Sequence, residues 1–184
     1  MKIRNIEKEE YSGLYSHMKR DFPANELPPF FAVKQNLLKG IYAGFYLTED
    51  TDIGYAVITA PDNLKYALIN YFAVFPEYRA KGVGSEFLKI IFSRYPDRIF
   101  FLEADDPSAA KTSALREEAE RRVKFYERAG FRVMPTARAK IFGVDMVIMA
   151  SGQDMSLKAR DIMRALYLPS LGKTWLRFID ITDL

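Results

Sequence analysis

Two glycines flanked by basic residues form the stretch of this sequence that is best suited to bind a phosphate group. Gly82 and Gly84 let the backbone approach a ligand without a Cβ atom in the way. The first amides of a helix have no partner inside the helix, and the positive end of the helix dipole lies behind them. Arg79 and Lys81 add positive charge, and Ser85 adds a hydroxyl donor. The stretch therefore predicts a phosphate-binding loop at the start of a helix.

Other interpretations of the glycine pair remain open at this point. A bare Gly-x-Gly can be a simple helix entry with solvated bases. A Walker A loop needs four residues between its glycines and then Lys and Ser or Thr, which Gly82-Val83-Gly84-Ser85 does not supply. The dinucleotide-binding motif needs a third glycine where this chain has Phe87. Glu103 does lie about 20 residues downstream, as a ribose ligand would, so a nicotinamide-dinucleotide enzyme is one alternative.

The elements around this loop follow from the spacing of the apolar residues. Residues 66–74 are apolar almost without alternation, which predicts a central strand covered on both faces. Apolar residues at helical spacing predict a helix over 81–94. Residues 98–104 form the next predicted strand, so the three elements make a βαβ unit with parallel strands.

The residues before the loop predict an antiparallel meander. A short strand at 2–6 is followed by a helix over 7–19, whose acidic start suits the helix dipole. Prolines before it and a glycine after it predict a second helix over 29–38. Residues 41–48 and 53–60 are rich in β-branched and aromatic side chains and predict a hairpin. Such a meander argues against the doubly wound sheet of dinucleotide-binding enzymes.

The residues after the βαβ unit predict a long helix. Ser113 can cap its start, and Gly130 is typical of the position just past a helix end. The stripe expected to face the core consists of Leu115, Ala119, Val123 and Tyr126. A tyrosine on such a stripe, taken alone, is more often a core residue than a catalytic one.

The rest of the chain predicts a strand pair at 131–134 and 140–149, a helix at 154–168 and a tail at 170–184. The tail region is too apolar to lie free in water, so we expect it to pack on its own domain or to make a homodimer contact. Its apolar residues are Tyr167, Leu168, Leu171, Trp175, Leu176 and Phe178. The whole pattern predicts a single-domain α/β (mixed α+β) fold, with helices on both faces of a mixed sheet.

Composition excludes several functional classes. The 184 residues include 27 Lys and Arg against 24 Asp and Glu, for a formal net charge of +3, and 49% are hydrophobic. This balance excludes intrinsic disorder and provides no basic stripe for nucleic acid. With no cysteine and only one histidine, His17, we expect no thiolate nucleophile and no metal site. No apolar run has the length of a signal peptide or a membrane span, so we expect a cytoplasmic protein without a membrane partner.

Two motifs, in order on the predicted elements, carry a resemblance to a known family. Arg79-Ala80-Lys81-Gly82-Val83-Gly84 matches an Arg/Gln-x-x-Gly-x-Gly/Ala signature, and Val74-x-Pro76-x-x-Arg79 matches the usual approach to it. Phe125-Tyr126-Glu127-Arg128-Ala129-Gly130-Phe131 matches a Phe/Leu-Tyr-x-x-x-Gly-Phe helix ending. Together they resemble the GNAT superfamily of N-acetyltransferases. The resemblance covers residues 1–150, expected to be a GNAT-like domain, and leaves 151–184 as a helix and aromatic-rich tail.

The resemblance implies that acetyl-CoA binds where the strands at 66–74 and 98–104 part. The backbone of Phe72, Ala73 and Val74 would pair with the pantetheine arm, and the Phe72 amide would polarise the thioester carbonyl. The pyrophosphate would bind the amides that follow Arg79, namely those of Ala80, Lys81, Gly82, Val83 and Gly84.

The resemblance also implies an acid and a base. Tyr126 would be the general acid that protonates the departing CoA thiolate, since a phenol stays neutral at pH 7. Glu103, at the carboxyl end of its strand, would be the base that takes the proton of the amine. Asp105 and Asp106 are alternatives that would instead bind a cationic substrate. A solvated acid paired with an arginine is an equally good interpretation of Glu103.

Departures from the family pattern leave the acceptor open. Ala119 and Arg122 stand where many members have Asn and Ala, and the segment between Glu103 and Tyr126 is longer than usual, with residues 105–113 as the expected excess. Arg121 and Arg122 suit either an acceptor pocket or a solvated helix face. Without a cysteine for an acetyl-enzyme, we expect direct transfer in a ternary complex to a primary amine of a small molecule or peptide. The alternative is a non-catalytic acyl-CoA-binding or regulatory module.

Overall fold

The structure is a computed structural model that describes residues 1–152 and 157–183, with residues 174 and 175 described by their backbone alone. The chain divides into two compact units. The first unit consists of Met1–Leu64 and Ile69–Arg98, and the second unit of Lys65–Leu68 and Ile99–Leu184.

The first unit contains the predicted antiparallel meander. β1 (Lys2–Asn5) pairs with β2 (Ala43–Thr48), and β2 pairs with β3 (Asp52–Thr59), both antiparallel. β4 (Tyr66–Val74) follows β3 in the sheet and lies in this unit from Ile69 onward. The helices of the unit are α1 (Tyr11–Asp21), α2 (Phe30–Leu38) and α3 (Val83–Arg94).

The core of the first unit is formed where helices pack on the meander. Leu14 and Met18, one turn apart on α1, are fully buried, and Val33 of α2 is 1% exposed. Tyr55 and Val57 on β3 belong to the same buried cluster. Removing such side chains from water stabilises the unit by roughly 1.5–3 kcal/mol each. This core supports β4 and α3, which belong to the same unit.

The second unit contains the remaining elements. The elements are β5 (Ile99–Asp105), α4 (Ser113–Arg128), β6 (Arg132–Val133), β7 (Ala137–Ile141), β8 (Val144–Ala150), α5 (Ala159–Trp175) and β9 (Ile179–Asp183). The strands run in the order β4, β5, β8, β7, β9, and β6 also pairs with β8. The start of β4 is parallel to β5, with Tyr66, Ala67 and Leu68 opposite residues 99–101.

The fold class predicted from the sequence is confirmed. Over the described residues, nine strands are hydrogen-bonded into one mixed sheet, parallel at β4–β5 and antiparallel at pairs such as β1–β2 and β5–β8. The helix α3 connects the two parallel strands, as the predicted βαβ unit requires. None of the helices within 1–152 and 157–183 is long and apolar enough to cross a membrane.

Helix starts differ from the predictions for local reasons. α3 begins at Val83 because the preceding Gly82 has a left-handed φ of 76°, which is incompatible with a right-handed α-helix. Thr112, and not Ser113, caps α4, since the Thr112 hydroxyl accepts a hydrogen bond from the Leu115 amide at 3.3 Å. Leu115 is 53% exposed, so the predicted core-facing stripe was wrong at its first position. The buried face of α4 contains Ala119 and Tyr126.

The single strand predicted at 140–149 was wrong, because the chain turns back inside it. Phe142 and Gly143 have positive φ values of 47° and 86°, which is the backbone of a two-residue hairpin turn. This turn separates β7 from β8, and the two strands pair with Ile141 opposite Val144. A phenylalanine with positive φ gives no turn signal in a sequence.

The C-terminal residues form more regular structure than the sequence indicated. α5 continues past Pro169 to Trp175, with a kink at Gly172 where φ is 67°. Residues 154–156 of the predicted helix and the side chain of Trp175 lie outside the described residues. β9, inside the predicted tail, pairs antiparallel with β7. Leu168 and Phe178 are 42% and 43% exposed, and a homodimer contact through this region stays a prediction.

Candidate functional site

The candidate phosphate-binding loop lies in the first unit, between β4 and α3. A 3-10 turn at Pro76–Tyr78 leads into it. Ala80 and Gly82 both have left-handed backbone angles, with φ of 62° and 76°. For an L residue such as Ala80 this angle costs roughly 1–2 kcal/mol, and local strain of this kind is concentrated at binding sites.

The start of α3 presents backbone amides without internal acceptors. The first hydrogen bond of the helix runs from the Glu86 amide to the Gly82 carbonyl at 3.2 Å. The amides of Val83, Gly84 and Ser85 therefore have no acceptor within α3. A Cβ atom added to Gly82 would meet no atom within 4 Å, so there is open space beside the loop. Donor amides, a helix dipole and open space fit a diphosphate group.

Arg79 links this loop to the end of β4 and to the end of α1. Its Nε donates to the carbonyl of Val74 at 2.8 Å, and its Nη2 lies 3.3 Å from Oδ1 of Asp21. The Asp21 side chain is only 6% exposed and also accepts a hydrogen bond from the Tyr55 hydroxyl at 3.1 Å. Arg20 contacts the same carboxylate at 3.0 Å. Asp21 is thus the common anchor for the end of β4, the loop and the end of α1.

Lys81 stands on the exposed side of the loop. Its ammonium donates to the carbonyl of Glu77 at 3.2 Å and lies 6.0 Å from the ring centroid of Tyr78. These contacts keep its positive charge close to the turn that precedes α3. The charge is therefore available to an anion bound by the loop amides.

The last residues of β4 are held closely against β3. A Cβ atom added to Gly54 would lie 2.6 Å from the carbonyl oxygen of Ala73 and 3.2 Å from the Cα of Val74. Only glycine allows the two backbones to approach in this way. The ring of Phe72 packs on Phe87 of α3 with centroids 5.1 Å apart. The three β4 residues expected to contact the cofactor thus have a fixed backbone.

Glu103 lies on β5 of the second unit and is half-buried. Desolvation raises the pKa of its carboxyl group to about 7, while hydrogen bonds from the Tyr167 hydroxyl and from its own amide act to lower this pKa. The Tyr167 hydroxyl donates to Oε1 of Glu103. A carboxyl group with a pKa near neutrality can accept and release a proton at physiological pH.

Tyr126 lies on the buried face of α4, also in the second unit, and is 9% exposed. Its ring packs on Phe125 and Phe131 with centroids 5.1 Å and 5.8 Å apart. Burial raises the pKa of the phenol to about 12, with Arg122 lowering it and the negative charge of Glu103 raising it further. Tyr126 therefore stays protonated at neutral pH and senses the charge of Glu103.

The other candidate acids near β5 are engaged by neighbouring groups. Asp105 forms an ion pair with Arg122 at 2.9 Å. Asp106 accepts hydrogen bonds from the amide and the hydroxyl of Ser108, at 2.8 and 2.7 Å. In the part of the chain that the structure describes, no group of three or more His, Asp and Glu side chains could hold a metal ion.

Three residues that shape these sites gave no usable signal in the sequence. Asp21 looks like an ordinary helix-end acid, and Gly54 like a weak point in a strand. Tyr167 looks like one more apolar residue of the tail. Their roles depend on contacts with residues 19 to 64 positions away in the chain, which local patterns do not reveal.

A family model described as "Acetyltransferase (GNAT) domain" matches residues 42–133. The match covers half of the chain and includes the phosphate-binding loop and Tyr126. The chain therefore belongs to the GNAT family of acetyltransferases, as the two motifs indicated. A comparison with curated proteins finds no match.

Solved structures share the fold at low sequence identity. A protein from Bacteroides thetaiotaomicron assigned to the GNAT family is 20% identical, with a TM-score of 0.78 over 94% of this chain and 99% of that one. The ribosomal-protein-S18-alanine N-acetyltransferase of Escherichia coli is 21% identical, with a TM-score of 0.55 over 85% and 96%. A Bacillus subtilis acetyltransferase in complex with CoA is 17% identical, with a TM-score of 0.54 over 81% and 96%. The alignment with the Bacteroides thetaiotaomicron protein covers 94% of this chain, which is more than residues 1–150. The fold that the two proteins share therefore includes part of the C-terminal extension.

Replacing Asp21 with Asn should destabilise the first unit, because the buried anchor loses its charge toward Arg79 and Arg20. We expect a loss of about 1–2 kcal/mol in the free energy of unfolding, since both arginines are partly solvent-screened. Urea denaturation measures it. The matched control is Asp62→Asn, a fully exposed acid 3.9 Å from Arg98, which should leave the unfolding midpoint unchanged. Equal midpoints for the two variants would contradict the anchor role of Asp21.

Proposed function

We propose that this GNAT family member is an N-acetyltransferase that moves an acetyl group from acetyl-CoA to a primary amine. One observation carries the proposal: the second unit contains an acid and a base suited to that reaction. Burial brings the pKa of Glu103 to about 7 and that of Tyr126 to about 12, and the negative charge of Glu103 contributes to the second shift. A carboxyl group with a pKa near neutrality is suited to take a proton, and a phenol that stays protonated is suited to give one.

The loop of the first unit is proposed to bind the diphosphate of CoA. The amides of Ala80 to Gly84 would donate to its oxygens, and Lys81 and Ser85 would add a charge and a hydroxyl donor. Arg79 would act mainly by holding the loop on Val74 and Asp21, which its observed contacts favour. The backbone of residues 72–74 is assigned to the pantetheine arm.

Acetyl-CoA supplies a thioester whose carbonyl carbon forms a bond to the amine nitrogen while its bond to sulfur breaks. An alkyl ammonium has no lone pair, so the acceptor must first lose a proton. The Glu103 carboxylate takes that proton, directly or through water. Its pKa near 7 leaves an appreciable fraction ionised at neutral pH.

Tyr126 completes the proton balance. Its phenol donates its proton to the sulfur as the carbon–sulfur bond breaks, so CoA leaves as the thiol. The attacking nitrogen must lose a second proton to become a neutral amide. That proton returns through solvent to the Tyr126 phenolate, and Glu103 releases the first proton to solvent. The sequence contains no cysteine for an acetyl-enzyme, and we therefore propose direct transfer within a ternary complex.

The acceptor is proposed to be a primary amine of a small molecule, with a peptide or protein amine as second choice. Structural neighbours include a spermidine N-acetyltransferase chimera and aminoglycoside 6'-N-acetyltransferases. We assign the acetyltransferase domain to 1–150, the extension to 151–184, and the location to the cytoplasm. CoA binding without thiol release from any amine tested would indicate a non-catalytic acyl-CoA-binding module instead.

Replacing Gly82 with Ala should weaken CoA binding because the added methyl group occupies the space proposed for the diphosphate. We expect the dissociation constant from calorimetry to rise at least tenfold, equivalent to about 1.4 kcal/mol. Gly143→Ala is the matched control, since Gly143 also has a positive φ and an open Cβ direction but lies in the β7–β8 turn. An unchanged dissociation constant for Gly82→Ala, or an equal rise in both variants, would refute the loop assignment.

Glu103 should set the acidic limb of the pH–rate profile. A base must be ionised to act, so kcat/KM is expected to rise as pH increases through about 7. In Glu103→Gln this limb should disappear and the rate at pH 8 should fall by about 100-fold. Free-thiol release measures both effects, and the control is Glu117→Gln, an exposed acid on α4. A Glu103→Gln enzyme that keeps the limb would exclude Glu103 as the base.

Tyr126→Phe should reduce turnover without loss of CoA affinity, because only the proton donated to sulfur is removed. We expect kcat to fall by about 100-fold or more and the dissociation constant of CoA to stay within a factor of two. Steady-state kinetics and calorimetry on the same preparation separate the two effects. A variant with wild-type kcat would remove Tyr126 from the mechanism.

A further inference from the structure

The C-terminal extension brings a hydroxyl group to the proposed base. Tyr167 lies on α5, and its hydroxyl donates to Oε1 of Glu103, which is 64 positions earlier in the chain. The two residues belong to the same compact unit. A carboxylate has two oxygens with about four lone-pair sites, so this bond holds Oε1 in place and leaves lone pairs, those of Oε2 among them, to take a proton.

The extension is held in place by contacts independent of Glu103. Met163 and Leu166 of α5 are fully buried. β9, which follows α5, pairs along its length with β7. The Arg160 amide, in the first turn of α5, donates to the carboxylate of Asp183 at 3.2 Å. Tyr167 is therefore presented by an anchored helix.

The surroundings of Glu103 contain few other groups able to set its charge. On β8, Ile148 lies directly opposite Glu103. α4 contributes Tyr126, whose phenol interacts with the Glu103 charge, and α5 contributes Tyr167. Asp105 on the same strand is paired with Arg122. Among the described residues, Tyr167 is the side chain that hydrogen-bonds to the Glu103 carboxylate.

We infer that Tyr167 is a positioning residue for the acetyl-transfer reaction, through which the C-terminal extension orients Glu103 and favours its carboxylate form. The inference rests on the proposed role of Glu103 as base. Without this donor, the half-buried carboxyl group would keep its proton to higher pH and could rotate. The extension would then be a part of the catalytic apparatus as well as of the fold.

The test compares Tyr167→Phe with the unchanged enzyme and with 3-fluorotyrosine at position 167, whose phenol is a stronger donor. Carbon-13 NMR of labelled glutamate carboxyl groups, assigned with Glu103→Gln, follows the titration of Glu103 without any need for activity. Thiol release gives the acidic limb of kcat/KM. Tyr66→Phe, in the same unit, is the matched control, and thermal unfolding checks that each variant is folded.

We expect Tyr167→Phe to raise the pKa of Glu103 and the midpoint of the acidic limb by about one pH unit each. At a pH below that midpoint, kcat/KM would then be about tenfold lower. Fluorotyrosine at position 167 should lower both the pKa of Glu103 and the midpoint of the acidic limb. Tyr66→Phe should change neither value. If Tyr167→Phe does not fold, the fluorotyrosine series decides by the same criterion. A Glu103 titration that does not respond to either change would overturn the inference.

Failure of the proposed function has a different signature. In that case the Glu103 titration responds to position 167, but the acidic limb does not follow it. Glu103 would then not be the base, and Tyr167 would be a structural partner with no part in the reaction. If the limb follows Glu103 in the unchanged enzyme while Tyr167→Phe leaves both values unmoved, the function stands and the role of Tyr167 is excluded.

Discussion

The candidate phosphate site depends on a run of backbone amides that the fold leaves without acceptors of their own. A helix start always has such amides, but most are solvated or capped by a side chain. Here Ala80 and Gly82 take left-handed angles before α3, and no capping side chain covers the helix start. Asp21 and Arg79 hold the strained loop from behind. The first unit thereby retains unpaired donors that a bound diphosphate can satisfy.

Burial raises the proton affinity of two side chains in the second unit. Partial removal of Glu103 from water favours its neutral form, and burial of Tyr126 does the same for the phenol. The same physical effect brings the carboxyl group toward neutrality and keeps the phenol protonated. A carboxyl group that can take a proton and a phenol that holds one then coexist at pH 7. The hydroxyl of Tyr167 limits how far the first of these shifts proceeds.

Local patterns in the sequence predicted the elements and the loop, and they missed what depends on tertiary contacts. The apolar run of β4 and the spacing of Gly82 and Gly84 follow from backbone chemistry that a sequence displays directly. The left-handed angle of Ala80 is imposed by its surroundings against its own preference. The bond from Tyr167 to Glu103 joins distant segments, and the turn at Phe142 carries no glycine or asparagine at its first position. Such features appear only when the chain is folded.

The proposal that the loop amides bind the diphosphate of CoA can be tested by titrating the nitrogen-15-labelled protein with CoA and following the amides by NMR. We expect the largest chemical-shift changes on the amides of residues 80–85, and we expect 3'-dephospho-CoA, which retains the diphosphate, to reproduce them. Pantetheine, which lacks the diphosphate, should leave these amides unchanged. Shifts centred elsewhere in the chain, or equal shifts with pantetheine, would contradict it.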